Sequence, residues 1–152
     1  MDNPVLSPDH DELHGYYLDD LSLGMTAIYA KTMTDADIVM FAGISGDTNP
    51  IHLNEEFSGG TVFESRIAHG MLTASLISTV IGTKLPGPGC IYLSQTLNFK
   101  APVKASDTVT ARATIREIMV EKKRVIMDTI CSVGDAVVLD GEAVIMVPRK
   151  KS

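Results

Sequence analysis

The stretch MLTASLISTVI, residues 71–81, carries apolar side chains almost all the way round a helix. Met71, Leu72, Leu76, Ile77, Val80 and Ile81 leave hardly any polar face, and Ser75 and Ser78, one turn apart, are its polar members. A helix of that kind cannot face water, and the run is too short to cross a bilayer. Other parts of the chain therefore have to cover it. The spacing predicts a start between Ala68 and Gly70 and an end at Gly82.

What the chain offers as cover is β-structure. After the loop GTKLPGPG (82–89), Ile91, Leu93, Leu97 and Phe99 alternate with Tyr92, Ser94, Thr96 and Asn98. The alternation resumes over 109–118, 124–133 and 136–147, with Gly134-Asp135 as a hairpin turn, and a further strand is predicted over 25–33. One apolar helix among long alternating strands implies an α+β fold, an antiparallel sheet wrapped around a central buried helix. A chain of 152 residues with 45% hydrophobic residues suits one domain, and no internal repeat is present. Residues 1–20 mix Pro, Asp and His without a sustained period, and are read as an N-terminal extension, mobile or draped over a domain that occupies 21–152.

Composition removes several functions. Nineteen acidic residues stand against 13 basic ones, a formal charge of −6, so no nucleic-acid partner is expected, because phosphate binding rests on a basic face. Lys122, Lys123 and Arg124 run together and are read as a solvated hairpin tip. Cys90 and Cys131 lie far apart without a CxxC pattern, which suggests neither a zinc site nor a disulfide and fits a reducing cytoplasm. The first twenty residues are acidic and polar, unlike a secretory signal, and no membrane contact is expected; the protein should be soluble and cytoplasmic. His10 and His14 stand four apart, a spacing that on a helix could hold a metal; with no third ligand nearby, a solvated segment is favoured and no metal is expected.

The chemistry concentrates in SGDTNPIH, residues 45–52. Thr34 to Asp37 form a capping-box-like start to a helix carrying Ile38, Phe41 and Ala42, and Gly46 sits where a helix end wants a residue tolerant of positive φ. Pro50 cannot continue a regular ladder and holds Asn49 extended, so 47–52 should be a fixed bend from which an acid and an imidazole project. A calcium loop starting at Asp47 fails, since its sixth position is His52 and its twelfth Ser58. The GPG of the proline loop is not a phosphate-cradling fingerprint, and no GxSxG elbow or catalytic Cys–His pairing suggests a nucleophile. Acid–base chemistry remains: a carboxylate and an imidazole on one rigid bend can hold a water or hydroxyl between them, one taking a proton while the other gives one. The same residue types also build turns, and spacing by itself leaves both uses open.

Taken in order, SGDTNPIH (45–52), FESRIAHGML (63–72), ASLIS (74–78) and LPGPGCIYLSQTLNFKAPV (85–103) resemble the MaoC-type (R)-specific enoyl-CoA hydratases, over roughly residues 25–148. The resemblance implies a hot-dog fold, reversible addition of water to trans-2-enoyl-CoA to give (R)-3-hydroxyacyl-CoA, an acyl-CoA thioester substrate, no cofactor and a homodimer. It implies Asp47 and His52 as the catalytic pair, Asn49 as an amide that helps hold the water or hydroxyl, Gly70 as the N–H donor to the thioester carbonyl, and Ser78 as a helix serine lining the same pocket. The physics of Gly70 agrees, because hydration builds negative charge on that carbonyl oxygen and a helix N-terminus points positive potential at it. Two rival functions stand beside this one: a 3-hydroxyacyl-carrier-protein dehydratase, and a non-catalytic acyl-thioester binding module, which would not need both Asp47 and His52. His69 is read as fixing the helix start, Asn49 and Ser78 as equally able to serve a turn or the helix backbone, and Arg66 and Lys100 as CoA contacts or surface charges. Residues 58–65 and 82–92 are expected to fold over the pocket. Ser106 stands where these hydratases commonly have Gly, which puts that turn's geometry in doubt.

Overall fold

Side chains that alternate along three long segments build the sheet, and the apolar helix lies across it. The structure, a computed structural model, describes residues 10–151, so the part of the extension before His10 lies outside the described residues. In chain order come α1 (His10–Leu13), a 3-10 turn (Leu18–Asp20), β1 (Thr26–Thr32), α2 (Asp35–Ser45), α3 (Pro50–Leu53), α4 (Glu55–Gly59), α5 (Gly70–Thr83), β2 (Ile91–Gln95), β3 (Asn98–Phe99), β4 (Thr108–Met119), β5 (Arg124–Val133) and β6 (Ala136–Met146). Every strand pairing is antiparallel, in the order β1-β4-β5-β6-β2, with β3 pairing to β6 as well.

Every second residue of β4 and β5 turns to the helix side: Val109, Ala111, Ala113 and Ile115, then Val125, Met127, Thr129 and Cys131, are all buried. Against them α5 packs Thr73, Leu76, Ile77, Val80 and Ile81. Burying each of the large aliphatic side chains contributes about 1.5–3 kcal/mol. Burial also pushes the Cys131 thiol up to about 12, which keeps it an inert thiol.

The cover is one-sided. Met71, Ser75, Ser78 and Gly82 of α5 remain exposed, because an open sheet shields one flank of a helix and not the other. The strand expected over 91–99 is also different. It breaks into β2 and β3, and Ile91 and Leu93 stay exposed, since β2 is the edge strand and neither of its faces is covered within the chain. Among the described residues no helix is long and apolar enough to cross a membrane.

The turns follow from residue chemistry. Thr34 Oγ1 accepts from the Asp37 N–H and the Asp37 carboxylate accepts from the Thr34 N–H, the reciprocal cap predicted for α2, which ends at Gly46 with φ of 77°. Ser106 adopts φ of 78°, the left-handed conformation a glycine there would take freely, and its N–H donates to the Met33 carbonyl. The extension is tied down from Gly15 onward: the N–H groups of Gly15, Tyr16 and Leu18 donate to the carbonyls of Pro88, Pro86 and Pro148. His14 lies beyond the end of α1 and stacks on Tyr17 at 4.0 Å, with Nδ1 donating to the Gly15 carbonyl.

Gly141 of β6 is where the β2–β3 kink crosses the sheet. A Cβ there would sit 1.8 Å from the Thr96 carbonyl oxygen, while the Thr96 N–H donates to the Glu142 carbonyl and Thr96 Oγ1 accepts from the Glu142 N–H. That crossing sets the position of β3, and with it Phe99. Gly141→Ala is therefore expected to cost at least the upper part of the about 1–3 kcal/mol typical of overpacking. Urea unfolding measures the loss, and an unchanged midpoint would show that the kink is not pinned there.

Candidate active site

Asp47 lies just past the left-handed end of α2 and is held at three points. Its N–H donates to Ser45 Oγ at 3.1 Å, its Oδ1 accepts from the Asn49 N–H at 3.2 Å, and its backbone carbonyl accepts from His69 Nε2 at 2.9 Å. An aspartate that accepts from the amide two residues on is an Asx turn, so one carboxylate oxygen is spent on local geometry. The other, Oδ2, is left to face His52 at 4.0 Å.

His52 is positioned by a helix too short to be legible as one. Asn49 caps α3 through Oδ1, which accepts from the Ile51 N–H at 3.1 Å, and Pro50 fills its first position. The expected bend is thus a turn followed by a single helical turn, with the buried His52 on it. Asn54 caps α4 in the same way, and the buried Ser58 hydroxyl reaches back to the carbonyls of Asn54 and Ile51 at 2.8 and 3.0 Å. His52 Nδ1 donates to the Ile67 carbonyl at 2.8 Å. A carbonyl can only accept, so Nδ1 carries the hydrogen and Nε2 presents its lone pair toward Asp47.

Arg66 is a part of the site that sequence reasoning missed. Its Nε donates to the His52 carbonyl at 2.6 Å and its Nη1 pairs with Asp35 at 2.8 Å, so it braces the histidine's backbone against the start of α2. Nothing in the sequence around a lone arginine signals that role. Lys100, the other candidate CoA contact, lines the cavity and lies 3.8 Å from Asp140.

His69 precedes Gly70 as the N-cap residue of α5, yet its side chain makes no cap bond. Its ring stacks on that of His52, with centroids 3.8 Å apart and planes at 26°, and also meets Phe41 at 4.8 Å. Asp47, His52 and His69 offer ligand atoms within 4.8 Å of one another, the one cluster of this kind among the described residues. Two nearly parallel imidazoles aim their in-plane lone pairs side by side, however, and His69 Nε2 is already committed to a carbonyl. The arrangement suits proton chemistry better than tetrahedral metal binding.

Asp47 and His69 border a cavity of about 500 Å³ that continues past Gly70 and Thr73 to Phe99 and Leu139. Gly70 begins α5, so its N–H has no acceptor within the helix and adds to the positive end of the helix dipole. The Phe99 ring lies so close over Gly70 that a Cβ would come within 2.6 Å of it. His52, 7% exposed, does not itself line the cavity; it lies beside two residues that do, with Nε2 4.0 Å from Asp47 Oδ2 and its ring stacked on that of His69. Asn49 is brought to the site as the turn and cap residue described above. Ser78 does not line this cavity: it lies on the exposed flank of α5, eight residues, about 12 Å, along the axis from Gly70. Residues 82–92 do not line the cavity either; residues 99–103 and Val138 and Leu139 do, beside Phe63 and Ile67.

The MaoC like domain matches residues 24–135. The chain is 52% identical over 140 residues to a 3-hydroxybutyryl-CoA dehydratase of Methylorubrum extorquens, covering 92% of this chain and 89% of that one. It is also 52% identical over 140 residues to an (R)-specific enoyl-CoA hydratase of Rhodospirillum rubrum, covering 92% and 97%. Among solved structures, an unliganded R-hydratase of Pseudomonas aeruginosa superposes with a TM-score of 0.85 at 42% identity, covering 91% of this chain and 89% of that one. With a matched domain that spans most of its length and relatives this similar over nearly all of it, the chain belongs to the MaoC-like family of hot-dog hydratases.

Proposed function

We propose that the chain is an (R)-specific enoyl-CoA hydratase acting in the cytoplasm, with residues 21–152 as the catalytic domain and residues 1–20 as its extension. The observation that carries the reading is the 4.0 Å gap between His52 Nε2 and Asp47 Oδ2 beside a cavity that also reaches the N-terminus of α5. Both atoms are acceptors, and they stand too far apart to bond each other. One water that gives a hydrogen to each spans such a gap, and its own lone pairs are then free to attack.

The reaction follows from that grip. The water oxygen bonds to C3 of the enoyl thioester as one of its hydrogens passes to the Asp47–His52 pair. The electrons of the C2–C3 double bond move toward the thioester carbonyl, whose oxygen gains negative charge and rests on the Gly70 N–H. The pair then returns a proton to C2 from the same face, so hydroxyl and hydrogen add together and the pair ends as it began. The (R) outcome is the one named for the Rhodospirillum rubrum relative. The free thiols Cys90 and Cys131 fit a reducing cytoplasm.

Asp47→Asn removes a charged acceptor and His52→Ala removes the imidazole; each is expected to lower kcat for crotonyl-CoA hydration by about 10²–10⁴. The loss of enoyl thioester absorbance reports the rate, and near-normal turnover in either variant refutes the mechanism. Gly70→Ala keeps the N–H but drives a methyl into the Phe99 ring, a 55% exposed side chain of the cavity wall that has to shift to make room. That variant should fold and show a raised KM, and adding Phe99→Ala should bring KM back toward the wild-type value; a double variant no better than Gly70→Ala would show that the clash is not what matters.

A homodimer is part of the proposal. The outer edge of β2 and the bare flank of α5 present Ile91, Tyr92, Leu93 and Met71 to solvent, an unpaired edge and an apolar surface that a second copy would cover. Sedimentation should give twice the chain mass, and an active monomer would contradict it.

A further inference from the structure

We infer that His69 is a positioning residue, the one that sets the distance between the two groups of the acid–base pair; the inference rests on the hydratase reading above. Three observations meet in this side chain. Its Nε2–H donates to the backbone carbonyl of Asp47 at 2.9 Å, across 22 residues of sequence. Its ring lies against the ring of His52 at 3.8 Å. Its Nδ1, buried and the acceptor of the neutral ring, has no hydrogen-bond partner among the described residues.

The first two observations separate positioning from ordinary core packing. His69 is 2% exposed, and within the chain its polar reach is spent on the residue that carries the carboxylate. One side chain thus touches both members of the pair, pulling on the Asp47 backbone through a hydrogen bond and backing the His52 imidazole through its face. It is also the N-cap residue of the helix whose first residue, Gly70, lines the cavity, so the three parts of the site share one anchor.

Three variants separate the two contacts. His69→Ala loses both. His69→Gln can place an amide N–H where Nε2 sits and lacks the ring, whereas His69→Phe keeps a ring against His52 and lacks the donor. With crotonyl-CoA, His69→Ala is expected to lower kcat by about 10²-fold, the order of effect that a misplacement near 1 Å produces, with KM within a few-fold of wild type. His69→Gln and His69→Phe should each recover part of that loss. Thermal unfolding is the second measurement: His69→Phe removes the unpaired acceptor and should melt at or above the wild-type temperature while still turning over slowly. Wild-type kcat in His69→Phe or His69→Ala, or losses of activity that merely follow losses of folded protein across the three variants, would overturn the inference and leave the hydratase reading standing. A wild-type chain that hydrates no enoyl-CoA would instead overturn that reading, and this inference with it.

Discussion

Two imidazole-to-carbonyl hydrogen bonds, running in opposite directions between the same two segments, hold the site together. His52 on α3 donates to Ile67, and His69 at the start of α5 donates to Asp47. Each bond fixes a ring and a backbone at once, and the stacked rings complete a lacing between residues 47–52 and 67–69. Neither segment has a regular ladder to hold it. The Ile67 N–H donates to the Ile51 carbonyl and the Ala68 N–H to Val103, and Arg66 adds its bond to His52. The two segments are therefore joined by side-chain donors meeting main-chain acceptors together with isolated main-chain bonds, a dense set of contacts that gives rigidity without a ladder between them.

This lacing has a foundation in the core. Leu76, Ile77, Val80 and Ile81 anchor α5 on the sheet, so its N-terminus is a fixed point on which Gly70 and His69 are carried. Ala111, Ala113 and Ala143 keep the sheet surface shallow beneath the helix side. The same burial that stabilises the domain thus aims the helix's positive end at the cavity, and loss of helix packing would be felt as loss of site geometry.

Much of this was legible in the sequence, and the illegible parts have physical causes. The apolar run at 71–81, the alternation in β4, β5 and β6, and the reciprocal cap of α2 are local patterns whose periods or side-chain chemistry state their structure directly. The proximity of Asp47 and His52 was legible because both lie on one short bend stiffened by Pro50. The inward turn of Arg66 and the stacking of His69 on His52 were not, because each depends on a contact made across 14 or more residues that no local pattern encodes. Ser78, absent from the cavity lining of the single chain, shows a different limit. Helical spacing placed it on the right element, but which flank of that element meets the cavity is decided by how the sheet receives the helix. The exposed β2 carries the same lesson, since alternation shows that a strand has two faces and not that either is covered within one chain.

Charge completes the physical case for the proposed reaction. Of the cavity-lining residues, Asp47 and Lys100 are the ones with charged side chains, and Lys100 lies 3.8 Å from Asp140. An enolate-like oxygen forming in this cavity would meet repulsion from the Asp47 carboxylate, and the whole chain carries an excess of acid that does nothing to offset it. A counterweight is the amide end of α5, whose positive potential is strongest within its first turn and which shares the cavity with the apolar side chains of Ala68, Val103 and Leu139. A neutral helix end is well suited here. It favours charge that appears on the thioester oxygen during the reaction, whereas a fixed cation at the same place would also pair with Asp47 and weaken its hold on the water. The proposed acid–base pair and the proposed oxyanion donor are thus compatible because one is a charge and the other a dipole.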